Sequence, residues 1–145
     1  MIVGTGPQAQ IAKDYFSDHS SYDVIGFACH SEFREDDEVY GLPLWSVEEL
    51  LERFSPDETE AFVAIGYKNM NKMRQSVYDE IKGFGYRLAS FIHPRATIST
   101  TAEFGDNVFV FEENTIQPYV RIGNNTVLWS GNHIGHHSIP NLMAC

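Results

Sequence analysis

The sequence predicts an α/β chain in two parts. A Rossmann-like parallel-sheet lobe over residues 1–92 is followed by a truncated left-handed parallel β-helix of hexapeptide repeats over 93–139 and an aberrant tail at 140–145. Three observations predict it. Short apolar runs alternate with helix-period segments in the first stretch. A glycine turn joins the first such pair. From residue 96 onward an aliphatic or aromatic side chain recurs at every sixth position.

Met1-Ile2-Val3 reads as a buried strand entering the turn Gly4-Thr5-Gly6-Pro7-Gln8-Ala9, and Ala9, Ile11, Ala12, Tyr15 and Phe16 then recur at helical spacing. The second strand is expected over residues 23–28. A short strand segment is expected over 38–45, and Ser46-x-x-Glu49 is a capping box opening a helix with Val47, Leu50, Leu51 and Phe54 on one face. Residues 61–66 form an apolar run of strand length. They precede a helix over about 69–82 in which Met70, Met73, Val77 and Ile81 are core positions. A last strand segment over 86–93 closes the lobe.

Ligands of such sheets bind beyond the C-terminal ends of the strands. That edge would hold Gly4, Thr5, Gly6, Pro7 and Gln8 together with Gly66 and Asn69, which are the candidate substrate-binding residues. The glycines let backbone approach a phosphate, and the following helix N-terminus offers unpaired N–H groups and a positive dipole end. A turn with no ligand is the alternative. A nicotinamide site needs a carboxylate at the end of the second strand to hold the ribose. The strand ends instead in Ala28-Cys29-His30, so a redox dehydrogenase loses its support and a nucleotide sugar is the better ligand.

In the second part the six-residue period runs through Ile98, Phe104, Val110, Ile116, Ile122, Leu128 and Ile134. Two positions before each stand Ala96, Ala102, Val108, Asn114, Val120, Thr126 and Asn132, small or medium residues suited to an interior corner. Gly105-Asp106-Asn107 and Gly123-Asn124-Asn125 are spaced to mark equivalent corners, because Gly, Asn and Asp tolerate corner backbone angles. Three hexapeptides make one triangular coil, and coils stack because none can bury its apolar face alone.

A formal net charge of -10 with only ten Lys and Arg excludes a nucleic-acid partner of the ordinary kind, since phosphate binding needs clustered cations. A hydrophobic fraction of 43% excludes disorder. No apolar run approaches membrane-spanning length and no leader-like segment is seen, so a cytoplasmic location and no membrane partner are expected. Cys29 and Cys145 are expected to be free thiols.

The chain resembles the bacterial sugar acyltransferases of the NeuD and PglD type, which include sialic acid O-acetyltransferases and bacillosamine-type N-acetyltransferases. Three segments carry the resemblance: Gly4-Thr5-Gly6-Pro7-Gln8-Ala9, the junction Ser90-Phe91-Ile92-His93-Pro94, and Leu128-Trp129-Ser130-Gly131-Asn132-His133-Ile134-Gly135-His136-His137-Ser138. It implies a sugar or nucleotide-linked amino sugar as acceptor, acetyl-CoA as donor, a homotrimer in the full-length protein, and a coil histidine as general base. That histidine matches His136. His137 stands where a carboxylate is usual, and the two are the candidate catalytic residues.

A neutral imidazole suits the task, because it can take a proton from an amine or hydroxyl attacking a thioester, with no covalent intermediate. His133, His136 and His137 can instead be read as a metal site or as surface histidines without a role; no metal is expected, for want of a fourth ligand. At Pro140 the aliphatic period stops. The chain is therefore expected to be a truncated family member that lacks most of the acetyl-CoA site and is inactive by itself. A nucleotide-sugar-binding module without catalysis is the alternative function.

Overall fold

The computed structural model describes residues 1–67, 69 and 71–140. Met70 as a core residue, Cys145 as a free thiol and the tail beyond Pro140 lie outside the described residues. The chain divides into two units, Met1–Leu88 and Ala89–Cys145. Together they are a mixed α/β structure in which all strand pairs but one are parallel among the described residues.

In the first unit β1 (Ile2–Val3), β2 (Phe27–Cys29), β3 (Glu38–Val39), β4 (Leu42–Ser46) and β5 (Phe62–Val63) form one sheet in the order β3-β4-β2-β1-β5. The helix α1 (Pro7–His19) connects β1 to β2, α2 (Leu50–Arg53) lies between β4 and β5, and α3 (Lys72–Gly83) follows β5. Side chains alternate across a sheet. Val3, Ala28 and Val63 accordingly cluster with Leu50, Val77, Tyr78 and Ile81 on one face. Phe62 meets Phe16 of α1 on the other, ring centroids 5.2 Å apart. Complete burial of a residue such as Ile81 or Phe27 is worth about 1.5–3 kcal/mol each.

Several local expectations change here. The segment 38–45 is a hairpin of two strands rather than one, because Tyr40 and Gly41 both take positive φ (49° and 77°) and reverse the chain. The capping box at Ser46 forms, with the Ser46 N–H donating to Glu49 at 3.2 Å, yet Leu51 is exposed because the first turn is a tight 3₁₀ turn that rotates it outward. Met73 is exposed as well: the buried face of α3 is Arg74, Val77, Tyr78 and Ile81, one position on from the period that included Met73. The closing strand over 86–93 is split. Leu88 pairs with Ala61, whereas Phe91 and Ile92 pair in the second unit.

The second unit is a coil of two-residue strands. They are β6 (Phe91–Ile92), β7 (Thr97–Ile98), β8 (Glu103–Phe104), β9 (Phe109–Val110), β10 (Thr115–Ile116), β11 (Arg121–Ile122), β12 (Val127–Leu128) and β13 (His133–Ile134). Successive strands enter three sheets in rotation, β12-β9-β6, β13-β10-β7 and β11-β8. Partners such as Ile98, Ile116 and Ile134 are therefore 18 residues apart. The seven period-six residues each occupy the second place of a strand, and they form the core with Ala96, Ala102, Val108 and Val120.

The corners carry the same period. Asn107, Glu113, Tyr119, Asn125, Gly131 and His137 all have φ between 50° and 80°. Asn107, Asn125, Gly131 and His137 are residue types enriched in this region; Glu113 and Tyr119 adopt it under the demand of the coil. Gly105 is needed for another reason: a Cβ there would lie 2.1 Å from the Asn124 Oδ1 of the next coil.

Polar residues inside the coil are bonded between turns. Asn107 Nδ2 donates to Asn125 Oδ1 at 2.9 Å. Asn114 donates to the Phe111 and Trp129 carbonyls and accepts the Asn132 N–H at 3.1 Å, so the Asn of this interior column ties one coil to the next.

Candidate functional site

The edge of the first sheet assembles the glycine turn. β1 and β5 are parallel neighbours, so the backbone after each strand emerges side by side. The Gly4 N–H donates to the Ala28 carbonyl and the Ala64 N–H to the Val3 carbonyl, both at 2.8 Å. With φ of 130°, Gly4 is so close to its neighbour that a Cβ would lie 2.4 Å from the Ala64 oxygen. Gly6 differs: it is the N-cap of α1, exposed, with nothing within 4 Å of where a Cβ would be. One glycine is required by packing, while the other keeps the mouth of the helix open.

Thr5, Gln8 and Gly66 are half-buried, and Pro7, the first residue of α1, is exposed. The Thr5 carbonyl accepts the Tyr40 hydroxyl at 2.9 Å, which anchors the turn to the β3–β4 hairpin. Asn69 is exposed, with φ of 54°, in the segment leading to α3. Gly4, Thr5, Gly6, Pro7 and Gln8 thus share one turn, with Gly66 on the strand end beside it. Tyr40 is an addition that sequence spacing could not supply.

At the end of β2, Cys29 is a buried free thiol whose pKa is pushed up by burial. His30 Nε2 lies 2.7 Å from the carboxylate of Glu80 on α3. A carboxylate therefore does stand at this strand end, delivered from 50 residues further along the chain and already engaged by the imidazole. Close by, Glu48 accepts the Ser31 N–H at 3.2 Å. Backbone hydrogen bonds, its own N–H foremost, hold its carboxyl below the usual range. No local pattern announces either carboxylate.

The second unit carries His133, His136 and His137, all of them exposed. The His136 N–H donates to Gln117 Oε1 at 3.0 Å, and Gln117 Nε2 lies 3.3 Å from His133 Nε2. The Nδ1 atoms of His136 and His137 are 3.0 Å apart, with their rings perpendicular. His137 occupies a corner at φ 60°, its N–H donates to the Pro118 carbonyl at 3.1 Å, and its ring lies against Tyr119 with centroids 4.9 Å apart. With Thr101, Glu103, Tyr119, Arg121 and Ile139 it lines an open groove of about 320 Å³, in which Glu103 and Arg121 form an ion pair at 3.1 Å.

Among the described residues no group of three or more His, Cys, Asp and Glu side chains is placed to hold a metal ion. The junction residue His93 is buried, and its Nδ1 accepts the Arg95 N–H at 3.1 Å. No helix among the described residues is long and apolar enough to cross a membrane.

Residues 1–81, more than half of the 145, match the family model of the PglD N-terminal domain. The chain belongs to this family. The PglD-type chain also shares its fold with solved structures that extend past the matched domain. It is similar to the acetyltransferase domain of PglB from Neisseria gonorrhoeae in complex with acetyl coenzyme A (TM-score 0.78, 23% identity), covering 93% of this chain and 63% of that one. PerB from Caulobacter crescentus in complex with CoA and GDP-perosamine is similar to the same degree (TM-score 0.78, 24% identity), covering 93% of this chain and 61% of that one. The PglD-type chain therefore spans somewhat under two thirds of the length of the structures it matches. No curated protein is significantly similar to it.

Proposed function

We propose that the chain is part of an acetyl-CoA-dependent acetyltransferase acting on a sugar or a nucleotide-linked amino sugar. In this reading residues 1–92 are a Rossmann-like nucleotide-sugar-binding lobe and residues 93–139 begin a left-handed parallel β-helix. The observation that carries it is the fold, shared over 93% of the chain with an acetyltransferase domain holding acetyl coenzyme A and with PerB holding CoA and GDP-perosamine. A homotrimer belongs to the same reading, by resemblance to full-length members of the family.

The nucleotide phosphates would sit at the glycine turn, against the N-terminus of α1 and its positive dipole end. Gly6 offers them open space, and Gly66 and Asn69 lie on the segment after the neighbouring strand. In the coil unit, neutral His136 takes the proton of the acceptor amine or hydroxyl at Nε2 as that atom attacks the thioester carbonyl. The new bond is an amide or ester, and the CoA sulfur leaves with the electrons of the broken C–S bond. The exposure of His136 and His137 favours one second reading, a nucleotide-sugar-binding module without catalysis.

Gly6→Val tests the phosphate site separately from the fold. Its side chain would project into open space and its backbone does not need positive φ, so stability read from the urea midpoint should fall only by the roughly 1 kcal/mol that a poorer N-cap costs. Calorimetry with UDP-, GDP- and CMP-sugars should find at least about tenfold weaker binding, about 1.4 kcal/mol, because the methyl groups obstruct phosphate approach. Binding equal to that of the unaltered chain would make the turn structural only.

A further inference from the structure

We propose that His137 is a positioning residue that replaces the carboxylate normally expected beside a catalytic imidazole. As a neutral acceptor, it holds His136 in the Nδ1–H tautomer. The inference rests on the reading of His136 as general base and assigns its partner.

The geometry supplies the argument. Two imidazole Nδ1 atoms 3.0 Å apart cannot both carry a proton, which would collide, nor both present lone pairs, which would repel. In the neutral pair a single proton lies between them. If His136 is to accept a proton at Nε2, that shared proton must be its own Nδ1–H, and His137 Nδ1 must receive it. His137 is then in the Nε2–H form, the one a free neutral histidine prefers. The pair therefore moves only His136 out of its ordinary tautomer.

His137 is held for this task from several sides. Its corner backbone, its N–H bond to the Pro118 carbonyl and the Tyr119 ring fix where its imidazole stands. His136 is held from the other side by Gln117 Oε1 on its backbone N–H. A neutral acceptor also does what a carboxylate does less readily. When His136 Nε2 gains the acceptor's proton, its Nδ1 proton can pass to His137 Nδ1, so that the positive charge is shared between two rings. The N–H or O–H bond of the acceptor breaks, one Nε2–H bond forms, and the bridging proton changes owner.

Long-range proton-coupled ¹⁵N spectra of the histidine-labelled chain, taken at about pH 8, test this. The expected result is a protonated, pyrrole-type Nδ1 and a pyridine-type Nε2 at His136. His137→Gly, which suits the positive φ of position 137, should invert that assignment, and His137→Glu should restore it. An Nε2–H form of His136 in the unaltered chain, no inversion in His137→Gly, or inversion in His137→Glu would each overturn the proposal. The spectra do not read turnover, so the tautomer can be as expected even where His136→Ala leaves acetyl transfer intact. That outcome would sink the base assignment alone.

Discussion

Replacement of His136 by alanine is expected to lower acetyl transfer by the full-length protein that contains this chain by roughly 10²–10⁴-fold, the usual contribution of a positioned general base. The loss should fall on kcat, because a general base acts on the proton that moves in the transition state and adds little to ground-state binding. Folding should be unaffected: His136 is exposed, and the hydrogen bond that orders its backbone uses the main-chain N–H, which alanine retains. Single-turnover transfer and a urea midpoint measured on the same preparation separate the two. Undiminished turnover by His136→Ala would remove the base assignment. A large fall in the midpoint would mean that the side chain is structural.

Gly4→Ala is expected to destabilise the first unit by about 2–5 kcal/mol, combining steric overlap with an unfavourable backbone region. The added Cβ would lie 2.4 Å from the Ala64 carbonyl oxygen, and φ at Gly4 is 130°. The oxygen is poorly placed to retreat, because Ala64 is tied to β1 by its own N–H bond to the Val3 carbonyl. Relief would require β1 and β5 to part. Such a loss is a large share of the 5–15 kcal/mol typical of a domain, and urea denaturation followed by circular dichroism would read it. A midpoint within the range of ordinary surface substitutions would show that the two strand ends are not packed so closely. Gly4→Ala and Gly6→Val form a pair: the first should cost chiefly stability, the second chiefly affinity.

The coil was legible in the sequence because its constraint is local and repeated. Each residue from Ile98 to Ile134 in steps of six is paired in register with an equivalent 18 residues away, so the period in the chain is the period in space. The corners were only partly legible. Glu113 and Tyr119 are not corner-forming residue types, and the stacked strands rather than local preference impose their backbone angles. Asn114 and Asn132 could be read as fillers from spacing, but not as the hydrogen-bonded link between coils that they are.

In the first unit the alternation of strand and helix and the glycine turn were visible. The hairpin reversal at Tyr40 and Gly41 was not, because apolar residues continue on both sides of it. Helix faces slipped by one position at Leu51 and Met73, where a 3₁₀ turn and the late start of α3 at Lys72 set the phase. At the site, the two catalytic candidates are adjacent in sequence, and the structure brings their Nδ1 atoms to 3.0 Å. Glu80 could not be found in this way. It reaches His30 across the packing of α3 on the sheet, a contact between distant segments that no short window contains.

The proposed function is tested most directly by supplying the full-length protein that contains this chain with acetyl-CoA and a panel of nucleotide-linked amino and hydroxy sugars while following the release of free CoA thiol. Release that depends on both the protein and one class of acceptor, with acetylated sugar as the product, is the result predicted. Binding of a nucleotide sugar without acceptor-dependent thiol release from any member of the panel would contradict it and leave a binding module in its place.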